Sequence, residues 1–514
     1  MMRTFWGMMP AVVVCCLVSF WVKALPASDE IDALVRAKVT ERGLTPAPPC
    51  SDEVFFRRVY LDVIGTLPAG GEVTQFLHDE RPDKRARCIH RLLAREEFND
   101  YWALKWCDLL RVKAEFPINL WPNAVQSYHR WIRDAVKANM PYDAFARALL
   151  TSSGSNFREP PVNFYRAVQG REPAAFAAAV ALTFMGSRIE SWPEEQRARM
   201  EVFFSRLAFK GTDEWKEEIV CWEPLEQPEP LDAVFPDGVA ITIPTDQDPR
   251  ALFAAWLTAP ENPWFARAIA NRVWSWFLGR GIIHEPDDIR PDNPPVNPEL
   301  LACLERQLIR SHYNLKQLFR VILNSATYQQ SSVASAPYPE AEAVFACYPA
   351  RRLEAEVLSD ALNVLFGTTN AYTSAIPEPF TYIPEEHRTI TLADGSITDS
   401  FLETFGRPSR DTGLESERNN QVTTSQRLYL LNSSEVQKRI VRGGGRLAKS
   451  GAPAKGGPMQ AVRQIYLQVL SRFPTKEETA VIREYLQRNG AAPKALKEDV
   501  TWALINSKEF LYRH

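Results

Sequence analysis

Proline spacing limits the length of every regular element this chain can build. Thirty-eight of its 514 residues are proline. Each lacks the N–H that a helix interior needs and its ring collides with the preceding turn, so a proline starts, ends or kinks a helix. Between the prolines, apolar residues recur at helical intervals, which predicts many short amphipathic helices rather than long rods or a large sheet. In the first half these fall at 31–42, 54–63, 82–93, 102–110, 125–136, 173–184 and 194–207, with another opening at Pro141-Tyr142-Asp143. Ser51-Asp52-Glu53 supplies the start signal of the second. In the second half, Asp248-Pro249-Arg250 opens the series, followed by 263–278, 299–309, 315–326, 353–365, 425–440 and three helices within 460–514. Strand patterning is confined to 219–222 and 239–243. The expected fold class is mainly α, with two helical domains and a small β insert between them.

The Pro-rich stretch 224–236 marks the seam. Residues 25–223 then form one helical domain, 224–247 a linker with a short strand, and 248–442 a second helical domain. Residues 443–457 (GGGRLAKSGAPAKGG) read as a flexible basic linker, and 458–514 as the closing helices of the second domain. Residues 368–400 have little helical period and are expected to be irregular or a hairpin insertion. One short echo links Asn324-Ser325-Ala326-Thr327-Tyr328 with Asn506-Ser507-Lys508-Glu509-Phe510, each placed at a helix end.

With 45% hydrophobic residues the chain can bury a large core. Its 60 basic and 63 acidic residues leave no basic excess of the kind nucleic-acid binding needs. Residues 1–24 look like a secretory signal: Arg3, an apolar run over 11–22, and Val22-Lys23-Ala24 before a cut. That run is shorter than the roughly 20 residues of a spanning helix, and no later stretch approaches that length. The expected location is periplasmic or extracellular, with no transmembrane segment after cleavage. Six cysteines follow the signal (Cys50, Cys88, Cys107, Cys221, Cys303 and Cys347), widely spaced and without a CxxC pair, so one bridge is open but a disulfide framework is not expected.

Catalytic signatures are scarce. The seven histidines are isolated, and no HExxH, GxSxG, GxGxxG or GxxxxGK[ST] occurs. Residues 151–156 (TSSGSN) read as a loop. Arg58, Asp62, Asp108 and Arg111 sit among core-type residues. Trp102 and Trp106, one helical turn apart, could stack on sugars if exposed, but their apolar surroundings place them in the core.

The order of longer motifs carries a resemblance. RRVYLDVIGTLP (57–68), PDKRARCIHRLL (82–93), MPYDAFARALL (140–150), NFYRAVQGREP (163–173) and WKEEIVCWEP (215–224) resemble domain of unknown function 1549. The stretch 262–301, LFRVILNSATYQ (318–329), RRLEAEVLSDAL (351–362), FGRPSRD (405–411) and TSQRLYLLNSSE (424–435) resemble its companion, domain of unknown function 1553. The resemblance implies an exported protein of a planctomycete-type family, with no established activity and with many members joined to cytochrome c-like domains. Two departures stand out. Where many relatives carry a Cys-x-x-Cys-His-Asp-His segment, Ile189-Glu190 passes directly to Ser191-Trp192. Where relatives often read Cys-Glu-Cys-Glu-Arg, this chain has Leu414-Glu415-Ser416-Glu417-Arg418. Covalent haem attachment needs the first motif, so no cofactor and no metal are expected here.

The polar residues that match the resembling motifs in the second half are Asn271, Arg272, Asp287, Asp288, Arg290, Asn293, Arg407, Glu415, Glu417 and Arg418. They fit either a ligand cleft of arginine forks and carboxylates or a structural network in which Arg272 pairs with Glu415 or Glu417 and the 287–293 residues make turns. A calcium site from Asp287, Asp288, Asp292 and Asn293 lacks the spacing of a known loop. Three functions are compatible: a non-catalytic interaction or scaffolding protein, a polysaccharide-binding or polysaccharide-processing protein, and a redox component using a partner's haem. The expected partner is another exported protein or an envelope polysaccharide.

Overall fold

The computed structural model describes residues 27–223, 230–384, 386–447, 457–489 and 493–514. The signal-like segment 1–24 and the linker portions 224–229 and 448–456 lie outside the described residues. Helix makes up 54% and strand 6%, so the chain is mainly α. Among the described residues no helix is long and apolar enough to cross a membrane.

Helices start where the caps dictate. The Val54 amide donates to Ser51 Oγ at 3.4 Å ahead of Asp52–Ile64. The Arg250 amide donates to Asp248 at 3.0 Å ahead of Pro249–Leu257. Proline occupies the first turn of Pro122–Lys137, Pro173–Val180, Pro298–Arg310 and Pro458–Leu470, where its missing N–H would have had no partner.

Two helix expectations are corrected. The 194–207 helix stops at Glu201. A 3-10 turn, Val202–Phe204, follows, and Leu207–Gly211 is a strand, β2. The apolar residues 203, 204, 207 and 209 fit either period; Phe203 and Phe204 are drawn onto Phe253, at 5.3 and 5.4 Å between ring centroids, and this turns the chain out of the helix. β2 pairs antiparallel with β3 (Glu218–Trp222), whose other edge takes β1 (Gly154–Ser155). β4 (Leu231–Val234) and β5 (Ala240–Ile243) form a separate hairpin. The 425–440 helix is two, Thr424–Asn432 and Ser434–Leu447, broken at the extended Ser433. The second runs through residues 443–447, so that end of the expected flexible linker is helical. Residues 368–400 are irregular apart from short turns, as their pattern predicts.

One apolar core runs through both halves of the chain. Trp102 packs on Trp276, Phe277 and Phe319 at 5.3, 5.6 and 4.4 Å. Trp102 and Trp106 are both buried, so this pair is core and no sugar-stacking face. All six described cysteines are free, and only Cys221 is partly exposed.

The sequence echo has a structural basis. Ser325 and Ser507 each donate to the carbonyl three residues back, Ile322 or Leu504, at 2.6 Å. Each hydroxyl then accepts the amide of the buried aromatic three residues on, Tyr328 or Phe510, at 3.2 Å. The freed carbonyls of these aromatics are held by neighbouring arginines of the Asp52–Ile64 helix: Arg58 binds Tyr328 O at 2.6 Å and Arg57 binds Phe510 O at 2.8 Å. A buried carbonyl without a donor would cost about 1–3 kcal/mol, so this arginine pair fixes both helix ends to one element. β6 (Arg351–Arg352) pairs with β7 (Tyr512–Arg513) beside it.

Candidate functional site

The segment 405–418 carries three arginines into the interior. Gly406 makes its first turn in the left-handed region, φ 80°, where a Cβ would strike the Asn419 carbonyl. Arg407 donates to the Ile397 and Asp394 carbonyls and lies 3.4 Å from Glu356. Arg410 binds Asp108 at 2.9 Å and the Ala393 carbonyl at 2.6 Å. Arg418 forks between Asp108 and Glu356, at 2.6 Å to each. Asp108 lies on Glu96–Leu109 and Glu356 on Ala355–Phe366, so these pairs tie the first half to the second. Burial alone would raise the Glu356 carboxyl, but Arg418 and Arg407 outweigh it and hold it below the usual carboxylate range.

Arg272 pairs with neither Glu415 nor Glu417, which corrects that expectation. It binds Asp287 at 2.5 Å and the carbonyls of Leu182 and Thr183 at 2.9 and 2.7 Å. Those carbonyls face it because the Pro173–Val180 helix widens into a π turn, Ala181–Met185. The second Asp287 oxygen accepts the Glu415 amide at 2.6 Å. Glu417 folds its own loop instead, accepting from Ser409 and from the amides of Asp411 and Thr412. Asn271 brackets Ile283, bonding its N–H and its carbonyl at 2.9 Å each. Asn293 donates to the His284 and Asp288 carbonyls, and Arg290 pairs with Asp288 and Asp292 at 3.2 Å each. The calcium set therefore does not converge: Asp287 faces Arg272, while Asp288 and Asp292 face Arg290. Among the described residues no three His, Cys, Asp or Glu side chains are placed to hold a metal ion.

Of the ten sequence candidates, Glu415 and Arg418 reach a cleft of about 760 Å³. Lys105, Arg351, Arg352, Glu354, Trp276 and Tyr512 complete the part that matters chemically. Glu354 pairs with Lys105, accepts the Tyr101 hydroxyl at 2.8 Å and lies 3.5 Å from Arg513. Burial pushes its carboxyl up, but Lys105, Arg513 and Arg418 outweigh burial and hold it well below the usual range. Glu415 goes the other way. Burial raises it, and the Lys105 charge and the Trp276 indole N–H, 3.0 Å away, offset only part of that. The Nε–H groups of Arg351 and Arg352 have no acceptor among the described residues.

Sequence reasoning missed Lys105, Arg351, Arg352 and Glu354. Lys105 was visible as the lone cation in a run (YWALKWCDLL) whose other residues, apart from Asp108, are core-type. The other three stand in RRLEAEVLSDAL, one of the resembling motifs, but nothing local shows that the strand Arg351–Arg352 borders a cleft.

Arg188 and Glu190 share a second cleft of about 330 Å³ with Leu182, Thr412 and Leu414.

Residues 30–202 match the family model PSCyt2, described as a protein of unknown function (DUF1549), and residues 249–486 match PSD1, described as a protein of unknown function (DUF1553). No curated protein and no solved structure matches the chain. With one model on each half, in that order, the chain belongs to the family that pairs DUF1549 with DUF1553.

Proposed function

We propose that the protein is an exported interaction protein that binds a hydroxylated polymer, such as an envelope polysaccharide, in the 760 Å³ cleft. The observation that carries this reading is the alternation of donors and acceptors on its wall. Lys105, Arg351, Arg352 and Arg418 stand among Glu354 and Glu415, with Trp276 and Tyr512 beside them. Sugar hydroxyls both donate and accept, so a mixed wall serves them better than a wall of one charge. Binding without turnover is favoured because the ionised carboxylate is fully engaged: Lys105, Tyr101 and Arg513 occupy Glu354.

One observation favours a second reading, hydrolysis of the polymer. The environments of Glu415 and Glu354 push their carboxyls in opposite directions, which is how one site holds an acid and a base. Titration of the purified protein with sulfated and neutral glycans decides between them. Binding that Ser416→Trp blocks, with no reducing ends released, is the expected result; Ser416 is exposed on the cleft wall, and its hydroxyl makes no hydrogen bond among the described residues. Release of reducing ends supports hydrolysis. Absence of glycan binding, or equal binding by Ser416→Trp, removes the cleft from either role.

A further inference from the structure

Among the described residues, four of the five exposed aromatic side chains are grouped; the fifth, Tyr485, lies on the Lys476–Asn489 helix. Phe116, Trp215, Phe380 and Tyr382 are 80, 66, 45 and 71% exposed. They stand on three segments, 113–121, 212–217 and 377–382, that meet around one ring. Trp121 contacts Trp215 edge-on at 6.3 Å and Phe380 edge-on at 5.5 Å. The Lys216 ammonium lies over both indoles, at 5.2 Å from Trp121 and 5.5 Å from Trp215. None of these residues borders the cleft described above.

We infer that this three-loop aromatic patch is a stacking platform for the pyranose rings of a polysaccharide, a binding site separate from the cleft. It does not depend on the cleft reading. Three features of the patch argue for sugar rather than for lipid. First, the exposed apolar surface here is all ring: the exposed valines and leucines of the described residues, such as Val333, Leu428 and Val481, lie on other segments. A surface built to enter a bilayer mixes aliphatic side chains with aromatic ones, whereas a ring face matches the axial C–H face of a pyranose. Second, the rings are fixed in advance. Asn119, Trp121 and Lys216 all have left-handed backbone, φ 60°, 72° and 62°. Such conformations are costly for residues other than glycine and collect at functional loops. The loop is closed by Leu120 N to Lys113 O at 3.2 Å, and the Lys216 carbonyl is held by Asn156 at 3.2 Å. A rigid two-torsion side chain already in place loses little entropy on binding. Third, the Lys216 ammonium, held over one side of these rings, offers hydrogen-bond donors to the hydroxyls of a bound sugar.

The test uses the full chain, with Trp215→Ala, Trp215→Tyr and Phe380→Ala beside it. Retention is measured on microcrystalline cellulose and chitin, and by affinity electrophoresis in gels containing xylan, glucomannan or hydroxyethyl cellulose. At 66% exposure Trp215 contributes little to the core, so its replacement should leave the melting temperature within a degree or two of wild type. The expected result is retention by at least one polysaccharide, weakened about tenfold or more by Trp215→Ala and by Phe380→Ala, and largely kept by Trp215→Tyr, which preserves a ring. Ser416→Trp, which obstructs the cleft, should leave this Trp215-dependent retention in place. Retention on none of the five polymers, or equal retention by Trp215→Ala, overturns the platform. So does Trp215-dependent binding to vesicles of phosphatidylglycerol and phosphatidylethanolamine in place of the polysaccharides. Retention lost with Ser416→Trp but kept with Trp215→Ala also overturns it while supporting the cleft.

Discussion

Removing Arg418 should expose the energetic link between the two family segments. Its guanidinium forks between Asp108 and Glu356, and all three side chains are shielded from water. Arg418→Met keeps most of the aliphatic stem and deletes the charge. Asp108 then keeps Arg410 at 2.9 Å, but Glu356 keeps only Arg407 at 3.4 Å. Breaking a buried pair by removing one partner costs about 3–5 kcal/mol, because the charge left behind is unpaired. Arg410 and Arg407 retain part of the compensation, so the lower end, about 3 kcal/mol, is the expected loss. Against a typical domain stability of about 5–15 kcal/mol this is a large fraction. Urea denaturation followed by tryptophan fluorescence reads it as a lower midpoint with little change in slope. The double change Arg418→Met/Glu356→Leu removes the stranded carboxylate too, and should recover about 1–3 kcal/mol of what the single change loses. A single variant within about 1 kcal/mol of wild type, or a double variant whose losses simply add, would refute the claim that this network joins the halves.

Three further outcomes follow from the same geometry. Because burial raises Glu415, the folded protein holds that proton to higher pH than the unfolded chain does, so this group erodes stability as pH climbs above the usual glutamate range; Glu415→Gln should flatten the stability profile there and leave in place the loss of stability at falling pH that the depressed Glu354 and Glu356 cause. Gly406→Ala should cost more than about 2 kcal/mol in the same urea assay, since φ 80° strains any Cβ and the Asn419 carbonyl blocks it. Iodoacetamide on the native protein at pH 8, read by peptide mass, should label Cys221 alone. Burial pushes the Cys88, Cys107 and Cys303 thiols up to about 12 and Cys347 to about 11, and Cys50 is buried.

Local signals served the fold where one residue decides an outcome. Ser51, Asp248 and the first-turn prolines act through their own backbone, so the helices they open are readable from sequence. The 203–209 stretch was not, because its apolar residues fit both periods and only the distant Phe253 decides between them. The same limit governs the site. Arg272 was recognisable as a buried cation, but its partner depended on a π turn nearly ninety residues earlier that leaves two carbonyls free. Glu415 and Arg418 were found because a motif marked them, whereas Glu354 took its role from Lys105 and Arg513, on elements far away in sequence. The aromatic patch escaped notice because its rings are spread over three loops far apart in sequence. Trp102 and Trp106, the adjacent pair that sequence made conspicuous, are the ones that are buried.

The most direct measurement is a calorimetric titration of the full chain with soluble sulfated and neutral polysaccharides, comparing wild type with Ser416→Trp and Trp215→Ala. The account predicts saturable binding to at least one polymer, abolished at the cleft by Ser416→Trp and weakened about tenfold at the platform by Trp215→Ala. Wild-type protein that binds none of them, or variants that bind as wild type does, would contradict it.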